Sequence, residues 1–102
     1  MPWVRVADST MVAPGTATVV EAGGRRIALC NTGDGYHAID DICTHDGGSL
    51  DQGTLEGNTI ECPRHGATFD VVTGRALTLP AVRPVRTYAT RVQDGGVEVE
   101  VP

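Results

Sequence analysis

At 102 residues the chain has room for one modest core and little more. Its net charge of −5, with eight arginines and no lysine, lacks the basic balance that phosphate binding needs and so argues against a nucleic-acid partner. No run approaches the length of a membrane span, and the start, MPWVRVADS, has no basic region followed by an apolar stretch; neither a membrane helix nor a secretory signal is expected, and the cytoplasm is the expected compartment.

Taken in chain order, the elements read as strands. No segment keeps a 3.6-residue apolar rhythm for three turns, and thirteen glycines and six prolines punctuate the chain. TATVVEA is followed by Gly23-Gly24 and then RRIALCN; Gly33-Asp34-Gly35 leads into YHAID. TLE and TIEC flank Gly57-Asn58, and VRTYATRV and VEVEV flank Asp94-Gly95-Gly96. Glycine reaches positive φ at little steric cost, so these pairs suit tight hairpin turns. The expected fold class is all-β, a small antiparallel sandwich or barrel forming one unit over residues 1–102. Three stretches look unlike strand and are expected as surface loops: residues 43–53, 62–70 and the proline-bearing 79–84.

Three cysteines are an odd number for a disulfide framework and lean toward metal. Two of them pair with histidine at short spacing, Cys43-Thr44-His45 and Cys62-Pro63-Arg64-His65, each in a glycine-bearing loop. Such spacings bring two ligands to one metal edge with little loop to order, and the Gly57-Asn58 hairpin can bring the pairs face to face. Thiolate and imidazole together suit zinc, iron–sulfur and copper, and disfavour magnesium or calcium.

C-x-H, sixteen residues, then C-x-x-H resembles the Rieske [2Fe–2S] signature. Gly47-Gly48-Ser49-Leu50 after the first pair, and Phe69-Asp70 with Thr73-Gly74 after the second, extend the likeness, and residues 79–84 resemble the third, cluster-covering loop of that family. The resemblance runs from about residue 4 to 101. It implies a Rieske-type fold with a cluster-binding subdomain of loops at one end and one [2Fe–2S] cluster, its irons held by Cys43 with Cys62 and by His45 with His65. It also implies a monomeric one-electron carrier, not a catalyst, that receives electrons from a flavin-dependent ferredoxin reductase and passes them to a terminal oxygenase of the aromatic-ring-hydroxylating type.

Relatives in respiratory complexes carry a further cysteine in each loop, where this chain has Gly48 and Arg64, and a serine where it has Ala67. Fewer hydrogen bonds to sulfur leave the reduced state less stabilised, so a potential near the low end of the Rieske range, roughly −150 mV, is expected. The backbone amides of Gly47, Gly66 and Ala67 are candidate donors to cluster sulfur. Two other readings compete: a Rieske subunit of a larger oxidoreductase such as assimilatory nitrite reductase, and a structural zinc module with a Cys₂His₂ site. Among the remaining residues, Cys30 is expected as a core thiol and His37 as a surface or half-buried strand residue. Arg25-Arg26 reads as a charged sheet face, Asp40-Asp41 and Asp46 as a solvated acidic turn or, alternatively, as residues that steer a basic partner, and Trp3 as the seal of one core end.

Overall fold

The computed structural model describes residues 2–44, 47–63 and 66–102. The described residues form ten strands: β1 (Trp3–Asp8), β2 (Thr16–Ala22), β3 (Arg25–Asn31), β4 (Tyr36–Asp40), β5 (Thr54–Glu56), β6 (Thr59–Glu61), β7 (Thr68–Asp70), β8 (Thr87–Tyr88), β9 (Thr90–Gln93) and β10 (Gly96–Glu100). The only helical element among the described residues is a single 3₁₀ turn, Leu50–Gln52. Every strand pairing is antiparallel, in three sheets ordered β1-β10-β9, β2-β3-β4-β8 and β5-β6-β7. The all-β expectation holds, and the hairpin turns fall where the glycines place them. Gly23 and Gly24 join β2 to β3 with φ of 57° and 76°, the left-handed conformation that a two-residue turn needs at both positions.

The four-stranded sheet is the middle layer, which explains why RRIALCN is apolar without alternation. From β3, Ile27 and Leu29 pack with Val97 and Val99 of β10, whereas Ala28 and Cys30 face the opposite way, toward Leu55, Ile60 and Phe69 of the small sheet. A strand covered on both faces has no solvent side to carry polar residues. The second of these cores also receives Cys43, Cys62, Ala81 and Val85, so the loop end of the molecule rests directly on it.

Four local expectations need correction. Residues 68–70 of the second expected loop form β7, because Phe69 pairs with Ile60 and is fully buried. Trp3 does not seal a core: it lies half-buried on β1, with the Arg91 guanidinium 4.3 Å above its ring. Asp40 and Asp41 are not a solvated turn. Asp40 accepts a hydrogen bond from the Tyr88 hydroxyl, and Asp41 is buried, accepting from the Asp51 amide at 2.7 Å and lying 3.5 Å from Arg26. The fourth concerns the loop amides and follows below.

Candidate metal centre

The two cysteine loops are built alike although their spacings differ. Cys43 lies three residues beyond the end of β4, and Cys62 directly follows β6. In the first loop the Cys43 amide donates to the Gly48 carbonyl (2.7 Å), and the Gly47 amide donates to the Cys43 carbonyl (2.8 Å). In the second the Cys62 amide donates to the Ala67 carbonyl (2.7 Å), and the Gly66 amide donates to the Cys62 carbonyl (3.1 Å). Gly47 and Gly66 hold the matching corner of each loop at φ 77° and 75°, where a side chain would be strained. The same bonds join the same relative positions, so each loop presents its cysteine on an equivalent scaffold.

These bonds correct the expectation for Gly47 and Gly66. Their amides are engaged by cysteine carbonyls within their own loops, which shape the loops instead of donating to cluster sulfur. Ala67 is fully buried, and its carbonyl closes the second loop.

Cys43 and Cys62 are each 1% exposed and share one core with Leu50, Ala67 and Ala81. Two thiols brought to the same apolar layer fit the thiolate half of an iron–sulfur site, since soft anionic sulfur is what such irons take. His45 and His65, with Asp46 and Arg64, lie outside the described residues. The structure thus places two of the four expected ligands.

Cys30 and His37 face each other across β3 and β4, outside the cysteine loops, although Cys30 is buried in the core that Cys43 and Cys62 share. Cys30 is a core thiol, as expected: burial first, and then the nearby Asp41 charge, push it up to about 12. Asp41 is itself pushed up to about 6, chiefly by burial and then by the Asp51 carboxyl beside it. Sequence reasoning missed Asp41 as a buried anchor of the Leu50–Gln52 turn, because one acidic residue in a polar pair carries no burial signal.

It also missed what holds the third loop down. The Thr44 hydroxyl, between Cys43 and His45 in the chain, donates to the Arg83 carbonyl at 2.8 Å. At one end of the loop Thr68 and Thr78 bond through their hydroxyls (2.8 Å); at the other the Val85 amide donates to the Gly74 carbonyl (2.8 Å). Gly74 is mandatory there, because a Cβ would lie 2.1 Å from the Val85 carbonyl oxygen.

Residues 2–89 match the family model for the Rieske [2Fe-2S] domain, and the chain belongs to that family. Its cofactor is therefore a Rieske-type [2Fe–2S] cluster. The chain is 44% identical over 77 residues, 74% of its own length and 73% of the relative's, to the 3-phenylpropionate/cinnamic acid dioxygenase ferredoxin subunit of Escherichia coli. It superposes with a TM-score of 0.93 and 36% identity on the ferredoxin of carbazole 1,9a-dioxygenase from Nocardioides aromaticivorans IC177, covering 97% of each chain. A complex of reduced oxygenase and oxidized ferredoxin in carbazole 1,9a-dioxygenase contains a chain matched at TM-score 0.89 and 38% identity, with 95% of this chain and 91% of that one covered. These relatives are ferredoxins, electron carriers in dioxygenase systems and not catalysts themselves.

Proposed function

We propose that residues 1–102 fold as one Rieske unit in which Cys43 and Cys62 hold one iron and His45 and His65 the other. The unit carries single electrons from a flavin-dependent reductase to a terminal oxygenase of the aromatic-ring-hydroxylating type. The observation that carries this reading is the pair of equivalent loops, each closed by two backbone bonds around a buried cysteine at the same end of one core. When bound, the cluster supplies a site that stores and releases one electron without bond-making to a substrate. The chain's own residues hold and shield it: Leu50, Ala67 and Ala81 exclude water from the cysteine side, and the Thr44 clasp keeps residues 79–84 over it. The neutral imidazoles favour the reduced state more than two further thiolates would.

The same unit is proposed to be cytoplasmic and to work as a monomer. Voltammetry from about pH 6 to pH 11 tests the ligand set. The potential should stay level at low pH and fall with pH only once the imidazoles lose their remaining protons, which they do more readily on the oxidised cluster. A level line throughout contradicts ligation by His45 and His65.

A further inference from the structure

Asp41 and Asp51 flank the first cysteine loop in the chain and meet in space. The Asp51 amide donates to Asp41 Oδ1 at 2.7 Å, and the two carboxyls lie beside each other. The Asp41 side chain is fully buried. One oxygen of Asp51, Oδ1, is buried as well and has no hydrogen-bond partner among the described residues; the other, Oδ2, accepts from the Gln52 side-chain amide at 2.9 Å. The cation set against the pair is Arg26, 3.5 Å from Asp41 Oδ2, and its side chain is 61% exposed, so water screens it. Two carboxyls so placed against one screened cation destabilise a fold, and a buried oxygen left unpaired calls for an explanation.

The charge of the pair acts inward. Leu50, next to Asp51, is fully buried in the core that holds Cys43 and Cys62. Cys30 belongs to that core too, and the Asp41 charge is the second cause, after burial, that pushes its thiol up. A field that disfavours a thiolate in this core disfavours any added negative charge there, and reduction of the cluster adds one. Neither carboxylate at the end of β4 is left to steer a basic partner: Asp41 exposes no side chain, and Asp40 is engaged by Tyr88.

We propose that the Asp41–Asp51 pair tunes the cluster: its under-compensated negative charge favours the oxidised state and lowers the potential, at a cost in folding stability. This rests on the carrier function proposed above, and it adds a second cause to the low potential expected from fewer hydrogen bonds to sulfur. Pinning the Leu50–Gln52 turn does not by itself require two carboxyls. The bond that pins it comes from the Asp51 backbone amide, which any side chain at that position would leave in place. The second carboxyl therefore contributes charge, and the charge falls on the core that the two cysteines share.

The test is redox titration of the holoprotein, followed by visible absorbance at a single pH above neutrality, together with denaturant unfolding. Asp51→Asn keeps the amide that pins the turn and removes one charge. At a given applied potential its reduced-to-oxidised ratio should exceed that of the wild type at least about threefold, with the EPR g values unchanged and the unfolding midpoint equal or higher. Asp34→Asn, at an exposed carboxylate in the β3–β4 turn, should move the ratio less. Arg26→Gln removes the compensating cation and should move the ratio the opposite way. A merely structural pair gives a lower unfolding midpoint in Asp51→Asn with an unchanged ratio, and that result overturns the proposal. So does a shift no larger than that of Asp34→Asn. Should Asp51→Asn fail to assemble a cluster, an unchanged or raised ratio in Arg26→Gln overturns it alone. A wild-type protein with no Rieske EPR signal overturns the carrier function instead, whereas a normal signal with no shift in either charge variant overturns only the role given to the pair.

Discussion

Thr44 is a small part with a long reach. Its hydroxyl ties the first cysteine loop to residues 79–84, spanning 39 positions of sequence. Thr44→Val keeps the shape and removes the donor, so it should cost about 1 kcal/mol and speed amide exchange across 79–84. Thr44→Ser should restore both, and hydrogen-exchange mass spectrometry distinguishes the two variants. Cys30 bears on a different range of pH. In the unfolded chain this thiol ionises near 9.0, but in the fold only at about 12. Its contribution to stability is therefore complete below the lower value and is lost as pH rises through the upper one. Alkaline melts of the holoprotein should show that decline, and Cys30→Ala should flatten it while leaving the EPR spectrum unchanged. At this scale the sequence was legible where chemistry is rare: two Cys–His pairs stand out in a chain with three of each residue. Thr44 and Asp41 were not legible, since a threonine or an aspartate acquires its role only from the long-range partner that folding supplies.

Among the elements, the two cysteine loops and the third loop form one device. The loops share their closing bonds because a glycine four positions after each cysteine turns the chain back, whatever the ligand spacing between. Gly74 serves the third loop in the same sense, by letting the Val85 carbonyl come close. Gly74→Ala adds a side chain at φ 80° and into that oxygen, and should cost about 2–3 kcal/mol in thermal or denaturant unfolding. Gly57→Ala, which meets nothing within 4 Å, is strained by its φ of 57° alone and should cost less. Hairpins were readable from glycine pairs and alternating runs, but β7 was not. A three-residue strand in a segment bearing a Cys–His pair looks like loop until Ile60 and Phe69 are seen to pair.

For the whole molecule, the division of labour follows from three layers. One core, between the β1-β10-β9 sheet and the middle sheet, holds the scaffold together; the other, beneath the small sheet, carries the site. Phe69 is fully buried in the second and is the chain's single phenylalanine. Phe69→Ala should cost about 3–5 kcal/mol and loosen the cluster before the scaffold melts, visible as loss of visible-range absorbance ahead of the far-ultraviolet transition. The layer order could not be read from the sequence, because periodicity reports that a strand is buried and not what covers it. The unbroken apolar run of β3 marked a strand covered on both sides without naming either neighbour.

The central claim is that two thiolates and two imidazoles share one pair of bridged irons. EPR of the dithionite-reduced protein, with resolution of nitrogen hyperfine couplings, addresses it most directly. Wild type should give a rhombic signal of lower average g than an all-thiolate cluster, with couplings from two histidine nitrogens. His45→Cys and His65→Cys should each remove one coupling or abolish assembly, and Cys43→Ser or Cys62→Ser should strip the iron. A signal without nitrogen coupling, or one that survives unaltered in both histidine variants, would contradict the account.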